Sequence, residues 1–482
     1  MAKVETIVFL SLVLDLFAFT IPLPLFPRLI EWYTLRESSD PSGFLARTLV
    51  FISQIRGSLF KSTQHSQRWD VVLLGGLMGS VFSTLQFLVS PKIGSLSDKY
   101  GRKRILLLTM LGNILSALIW IKSTTFATYM LSRVVGGLSE GNVQLAIAIL
   151  SDVTTPENRS KALAHVGIAF AICFCIGPPI GAYFASKPLP SGIFWGLEMN
   201  VYAVPAILTL ILLVAETIFL IMALPETRGK GAQFKTPTSN GHANGHTNGA
   251  ANGKANGTSN PKQPRVPVEH RIQLLKALQW VHFLFLGLFS GVEFTLTFLT
   301  FDLMDWNNKQ NGALIGSIGI ISALLQGGYV RRATSKVGEG KMARRGVWSC
   351  VAALALLALL PRYAATNPSI GMKLLQAAAV CMAFTSATVV NSLTAFASLQ
   401  CDEGGFDKET GKPIVEHPEL AKGKALGKFR SSGQLGRAIG PILACASYWT
   451  FGPSATYAVS AVAMTVLAGG MRHLAQTKSY TR

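Results

Sequence analysis

The sequence predicts an all-α membrane protein with twelve transmembrane helices in two pseudo-symmetric halves of six. Of the 482 residues, 49% are hydrophobic and only 14% are charged, whereas a soluble domain carries about 25% charged residues. The apolar residues also come in runs of about twenty, which is the length that crosses a bilayer. Short charged stretches separate these runs.

Each apolar run is interpreted as one span. The first contains Asp15 and three prolines and lacks a small-residue cleavage site, so we expect a permanent span rather than a signal peptide. The twelve predicted spans are 6–27, 71–91, 105–121, 127–150, 162–184, 200–223, 275–301, 313–330, 346–360, 373–397, 425–450 and 453–471.

The basic residues predict the orientation. The chain has 44 Lys and Arg and a formal net charge of +20. They flank apolar runs instead of forming one patch or tail, which argues against a nucleic-acid partner. Most fall in alternate loops, and the positive-inside rule then places both termini and the central loop in the cytoplasm.

Two loops differ from the rest. The first outside loop, about 28–69, contains "GFLARTLVFISQIRGSLF" with apolar residues at helical spacing. This segment either lies flat on the membrane surface as an amphipathic helix or packs over the mouth of the protein. The second loop has the low-complexity core "TSNGHANGHTNGAANGKANGTSN", which predicts a disordered linker. We attribute His242 and His246 to this repeat rather than to a metal site.

An internal repeat supports two halves. Lys161-Ala162-Leu163 matches Lys424-Ala425-Leu426, and Gly177-Pro178 matches Gly440-Pro441 at the same offset. The predicted organisation is therefore a first half at 1–224, a cytoplasmic linker at 225–273 and a second half at 274–482. In such duplicated transporters the substrate site lies between the halves, near the middle of the membrane.

The loop between spans 2 and 3 carries the most specific motif, "GSLSDKYGRKR". It resembles the signature of the major facilitator superfamily, and the motif residues are Gly94, Asp98, Gly101, Arg102 and Lys103. The glycines permit a tight turn and close helix contact. Asp98 is one helical turn from Arg102 and is able to pair with it or to cap a helix. The resemblance implies that this loop latches the two halves on the cytoplasmic side.

Span 4 carries "LSRVVGGLSEGNVQ", which resembles the span-4 pattern of the same superfamily. Arg133 lies within the predicted span and is expected to face the bundle interior. Glu140 follows two helical turns later, on the same face of a continuous helix. The two residues form either a proton-linked pair or a structural ion pair.

Span 5 carries "GIAFAICFCIGPPIGA", which resembles the antiporter motif of drug-exporting facilitators. Gly167, Gly177, Pro178 and Gly181 match it, and Ala182 replaces its last glycine. The resemblance favours antiport. The alternative is that these residues only let the helices pack closely and bend.

Charged residues inside spans are the remaining candidates for function, because each is costly in hydrocarbon unless it faces a cavity or a partner. Asp15 and Glu293 occupy matching places in the first span of each half, where a desolvated carboxyl group is able to exchange protons near neutral pH. Arg430, Gln434 and Arg437 share one face of span 11 and offer donors to an anion. The candidates for substrate binding or proton coupling are Asp15, Arg133, Glu140, Glu216, Glu293, Arg430, Gln434 and Arg437.

Several stretches, among them "VFLSLVLDLFAF" and "FSGVEFTLTFLTF", resemble the tetracycline-transporter-like animal members of the superfamily, which are proposed organic-anion carriers. Glu140 stands where a basic residue is expected in that group. The sequence thus predicts a monomeric secondary transporter that exchanges a small organic solute, drug-like or anionic, for protons.

Two other classes remain. One is a non-transporting membrane sensor or assembly protein on the same fold, and the other is a membrane enzyme. We expect no enzyme activity, cofactor or metal site, because no nucleophile–base pair and no zinc-type cysteine spacing is present.

Overall fold

The computed structural model describes residues 3–22, 25–59, 66–185, 199–228, 267–306, 308–402 and 416–476. The described residues are almost entirely helical and include no strand. Most of the predicted linker, including His242 and His246, lies outside them, so the half boundaries at 224 and 274 remain a prediction.

The prediction of twelve spans is confirmed, since each predicted span coincides with a helix or a broken helix. Two further helices, α2 and α3, belong to the first outside loop. The helices are α1 (Val4–Thr20), α2 (Phe26–Arg36), α3 (Phe44–Leu59), α4 (Ser66–Tyr100), α5 (Arg102–Ile121), α6 (Phe126–Ser139), α7 (Asn142–Val153), α8 (Pro156–Ala185), α9 (Ala203–Ala223), α10 (Val268–Met304), α11 (Asn308–Leu325), α12 (Arg331–Val337), α13 (Glu339–Thr366), α14 (Pro368–Gln400), α15 (Lys422–Phe451) and α16 (Pro453–Gln476).

Length and hydropathy alone identify ten of these spans in the described part of the chain. The other two are the first and eleventh. The helix α1 has only 17 residues, and α15 is rich in glycine and basic residues although it is 30 residues long. A helix of that composition crosses a bilayer only when its polar groups face protein or a cavity.

Span 4 is broken, although the sequence predicts one continuous helix there. The helix α6 ends at Ser139, Glu140 is extended with φ −71° and ψ 96°, and α7 begins at Asn142. A Cβ on Gly141 would lie 2.9 Å from the Ile93 side chain. Glycine at this position therefore lets the break pack against α4.

Span 8 contains a second irregularity, a π-helical segment over Gln326–Val330 between α11 and α12. A π-bulge inserts one residue into the helix and reorients the side chains that follow, and such bulges are frequent at functional sites. Gln326 itself is buried.

The two halves meet along close helix contacts. The helix α4 packs along α15, and α8 packs against α11 and α14. At Gly427 a Cβ would lie 2.6 Å from the Ser90 carbonyl oxygen. The glycines of α15 thus bring its backbone against the other half.

The first outside loop folds onto the flank of the first half. Tyr33 of α2 is fully buried, and its hydroxyl group donates to the Ser123 carbonyl at 2.9 Å. The helix α3 packs against α4 and α6, while Val50 and Phe51 remain exposed. It therefore lies beside the first half, with an apolar cavity of about 480 Å³ between it and the two spans.

Candidate functional site

A central cavity of about 340 Å³ lies between the two halves, and helices from both line it. Phe19, Phe82, Phe170 and Phe174 form an aromatic wall contributed by the first half. An apolar wall of this kind, with a few converging polar groups, is the usual construction of a site for a small organic molecule. The charged lining residues are Asp15, Glu140, Glu293, Arg430 and Arg437.

Asp15 is held by the broken span 4. Its side chain is only 4% exposed, and the Asn142 amide donates to its carboxylate at 2.6 Å. The Asn142 carbonyl oxygen in turn accepts from the Thr109 hydroxyl at 3.0 Å. Because Asn142 is the first residue of α7, the break in span 4 positions the amide group that hydrogen-bonds Asp15.

Glu140 lies in the break itself and lines the same cavity. It is hydrogen-bonded to the Asn113 side chain and interacts electrostatically with Asp15 and with Arg430 of the second half. Two carboxyl groups of the first half therefore face one guanidinium group of the second.

Glu216 lies behind this pair instead of lining the cavity. It is fully buried on α9, and the Ser11 hydroxyl donates to its Oε1 at 2.8 Å. Its Oε2 is buried and has no hydrogen-bond partner among the described residues. Ser11 and Asp15 are one turn apart on the same face of α1, so Glu216 lies near Asp15 although it does not line the cavity.

The structure does not bring Arg133 together with Glu140. The guanidinium group of Arg133 lies over Trp120 and Tyr129, at 5.8 and 5.6 Å from the ring centroids. The break at Glu140 removes the continuous helical face on which the sequence argument for a pair depends. Arg133 is also absent from the cavity lining.

The three polar residues of span 11 all line the cavity. Arg430 interacts with both Glu140 and Asp15, and Arg437 interacts with Glu293 of α10. Gln434 lies between them. Each arginine therefore interacts with at least one carboxyl group. The two carboxyl groups that interact with Arg430 come from the opposite half.

His282 is a lining residue that the sequence analysis missed. Its ring stacks on Phe429 at 4.2 Å, and its Nδ1 lies 2.9 Å from the Phe429 carbonyl oxygen. A carbonyl only accepts, so Nδ1 carries the proton in this contact. A Cβ on Gly433 would collide with the ring, so glycine at this position in α15 makes room for the histidine.

Two amide side chains from the second half were also missed. The Asn391 amide donates to the Gln326 side-chain oxygen at 3.1 Å. A Cβ on Gly167 would collide with both groups. Gly167 therefore admits a polar pair from the opposite half, and the π-helical turn positions one member of that pair.

The other residues of the span-5 motif serve contacts within the first half. A Cβ on Gly177 would collide with the Thr20 side chain, and one on Gly181 would collide with the Ile21 carbonyl oxygen. Pro178 lies between them inside α8. These residues bring α8 into backbone contact with the end of α1, while Gly167 alone faces the other half.

The motif between α4 and α5 forms contacts across the halves. The Asp98 carboxylate accepts from the backbone amides of Gly423 and Lys424, at 2.9 and 2.7 Å. These amides belong to the first turn of α15, where they have no partner within the helix and a negative charge is favoured. Gly94 packs backbone to backbone on Gly423, and a Cβ there would collide with its carbonyl oxygen.

Buried ion pairs hold this contact in place. The fully buried Arg102 pairs with Asp98 at 2.8 Å and with Asp152 at 2.9 Å. Asp152 also pairs with Lys422 of the second half at 3.3 Å. We call Asp98, Arg102, Asp152, Lys422 and the first amides of α15 the latch.

The remaining motif residues fix the turn. Gly101 has φ +103°, a value that favours glycine. The backbone amides of Arg102 and Lys103 donate to the Glu226 carboxylate at 2.8 and 3.2 Å. Glu226 thereby caps α5 and ties the motif to the end of the sixth span.

Comparison with known proteins agrees with this architecture. A mouse protein named "Major facilitator superfamily domain-containing protein 10" is 32% identical over 458 residues, which is 95% of this chain and 90% of the mouse protein. The class H tetracycline resistance protein of Pasteurella multocida is 35% identical over 106 residues, 22% of this chain and 26% of that protein.

A solved structure covers almost the whole chain. The human organic anion transporter MFSD10 (TETRAN) superimposes with a TM-score of 0.74 at 27% identity, covering 97% of this chain and 99% of that one. The family model for the Major Facilitator Superfamily matches residues 8–406. This multi-pass membrane protein therefore belongs to the major facilitator superfamily.

Proposed function

We propose that this chain is a secondary active, proton-coupled transporter that works by alternating access on small organic solutes. Drug-like molecules, which it exchanges for protons, are one solute class, and organic anions are the other. The observation that carries the proposal is the central cavity. It lies between the halves and combines an aromatic wall and two carboxyl groups from the first half with one carboxyl group and two arginines from the second half.

The latch supports the alternating-access part of this proposal. It joins the halves at one end of the cavity through Asp98 and the start of α15. We assign this end to the cytoplasm, together with both termini, because the basic loops lie there. Breaking and remaking such a contact is the kind of rigid-body movement that exposes a central site to each side in turn.

The similarity to the human organic anion transporter supports the solute class. Arg430 and Arg437 are the cavity groups suited to bind an anion. The resemblance of span 5 to the antiporter motif supports exchange, and the similarity to the class H tetracycline resistance protein supports a drug-like solute.

The test uses purified protein in vesicles and a labelled organic anion, with and without an imposed pH gradient. We expect uptake above that of protein-free vesicles, dependent on the gradient and reduced in Asp15→Asn. The matched control is Asp40→Asn, an exposed acid in the first outside loop. Wild-type protein that takes up no organic solute under any gradient would favour a sensor or assembly role instead.

A further inference from the structure

The charge of the central cavity depends on its protons. Three carboxyl groups, from Asp15, Glu140 and Glu293, line it with the guanidinium groups of Arg430 and Arg437. With all five ionised, these lining groups carry one excess negative charge. Each proton that enters shifts the balance by one unit towards positive.

Asp15 and Glu140 bring two of the three lining carboxyl groups close to each other. Glu216 adds a third carboxyl group from α9, and it interacts with both acids. Arg430 is the guanidinium group that faces both. Other groups that face the pair or the cavity are Cys173 on α8, Asn113 on α5, Asn142 on α7, Gln86 on α4, Asn391 on α14, His282 and Glu293 on α10, and Arg437 on α15.

Arg430 is therefore shared between the first-half acids and any anion that enters. An anion that pairs with Arg430 takes away the positive charge that Asp15 and Glu140 face. Those acids then repel both the anion and each other until one of them takes up a proton. A cation has the opposite effect, because it is attracted to the ionised acids and competes with the proton for them.

From this arrangement, and resting on the proposed transport function, we infer that the charge of the solute sets the direction of proton coupling. Organic cations are exchanged for protons, whereas organic anions are carried together with protons. The reason is thermodynamic reciprocity, since a proton that strengthens anion binding is itself bound more tightly when the anion is present. A single set of carboxyl groups thus supports both modes.

The test compares two permanently charged aromatic probes, 2-naphthalenesulfonate and N-methylquinolinium, in vesicles with the membrane potential clamped. Counterflow without a pH gradient first establishes which probe is transported. Acid outside should then speed sulfonate uptake by about 5-fold or more and slow quinolinium uptake. Transport of only one of the two probes would overturn the inference, because the inference requires that one site carries both charges.

The variants separate the site from the rest of the protein. In Asp15→Asn/Glu140→Gln the ratio of uptake rates under the two opposite gradients should fall to about one, because the coupling to protons is lost. In Asp40→Asn the ratio should stay as in the wild type. Equal responses of both probes to one gradient, or a response that survives in the double variant, would overturn the inference. Absence of counterflow for both probes would instead refute the proposed transport function, and the inference with it.

Discussion

Replacing Asp98 with alanine should open the latch, and the chain contains its own reporter for this. Cys401 lies just beyond the end of α14, next to the latch, and is 2% exposed. Burial raises the pKa of its thiol to about 12. A buried thiol that remains protonated reacts slowly with maleimide, so labelling of Cys401 reports the fraction of molecules in which the latch is open.

The expected size of the effect follows from the contacts that cross between the halves. Asp98→Ala removes two hydrogen bonds from backbone amides to a carboxylate, each contributing about 1.5 kcal/mol or more. The total of about 3 kcal/mol corresponds to a roughly 100-fold shift in the equilibrium. Arg102 keeps its second partner, Asp152, at 2.9 Å, so we expect the variant to fold.

The assay measures the rate at which a maleimide labels Cys401 in the purified protein in detergent, where both faces are accessible, with the modified cysteine identified by peptide mass spectrometry. When opening is fast relative to labelling, the rate follows the open fraction, and it should rise by up to roughly 100-fold. The matched control is Glu419→Ala, because Glu419 lies near the same end of α15 but forms its ion pairs with Lys424 and Lys428 of the second half. An unchanged rate in folded Asp98→Ala would refute the assignment of Asp98 to the latch.

Three further outcomes are expected. Gly94→Ala should slow transport and lower the thermal midpoint by several degrees, because its Cβ would collide with the Gly423 carbonyl; Gly79→Ala, on the same helix with free space around it, should do neither. Hydrogen bonds from two lysines lower the pKa of Glu419 to about 2. The ionised carboxylate therefore stabilises the folded protein fully above about pH 4.5, and this contribution is lost as the pH falls towards 2. Because Glu419 is half-exposed, the difference in unfolding free energy from Glu419→Gln should stay below about 1 kcal/mol, and a difference that persists at low pH would contradict this reasoning. Arg437→Gln should weaken uptake of an anionic solute while sparing a neutral one if the solute is its partner, and should shift the pH profile of both alike if Glu293 is. Wild-type kinetics for both solutes would exclude Arg437 from binding and coupling.

The spans were predictable because bilayer thickness imposes a length and composition that a single sequence displays. Even the short span at 346–360 was located, although α13 extends well beyond it at both ends. Extra turns outside the hydrocarbon carry polar residues, so hydropathy does not reveal them. The span at 425–450 was predicted together with the others, although length and mean hydropathy do not identify α15 by themselves.

The breaks in helices were not predictable in the same way. "LSEGNVQ" has no proline, and a single glycine inside a helical pattern is ordinarily tolerated. The structure explains the break at Glu140, because Gly141 packs so closely on the Ile93 side chain that a larger residue would not fit. The sequence argument for an Arg133–Glu140 pair assumed a continuous helix, and therefore placed the two side chains on one face.

The candidate site was predictable to the extent that charge inside a span is costly. That argument identified seven charged residues. Asp15, Glu140, Glu293, Arg430 and Arg437 line the cavity, whereas Arg133 and Glu216 do not. It did not identify His282, Gln326 or Asn391, because neutral polar residues are common in membrane helices. The glycines that admit these side chains, Gly433 and Gly167, were the available signal.

The partners of the latch illustrate the same limit. Sequence spacing indicates that Asp98 is able to pair with Arg102 or to cap a helix, and in the structure it does both. The capped helix begins more than 300 residues later. Nothing in the motif itself names that helix, because the contact depends on how the two halves pack.

The most direct test of the central claim, that the chain carries organic solutes by alternating access, is counterflow in vesicles. Vesicles loaded with unlabelled 2-naphthalenesulfonate are diluted into a trace of the labelled compound, with no pH gradient and no membrane potential. A carrier whose cavity faces one side at a time should concentrate the label transiently above its external level. Label that only equilibrates, or that enters no faster than into protein-free vesicles, would contradict the account.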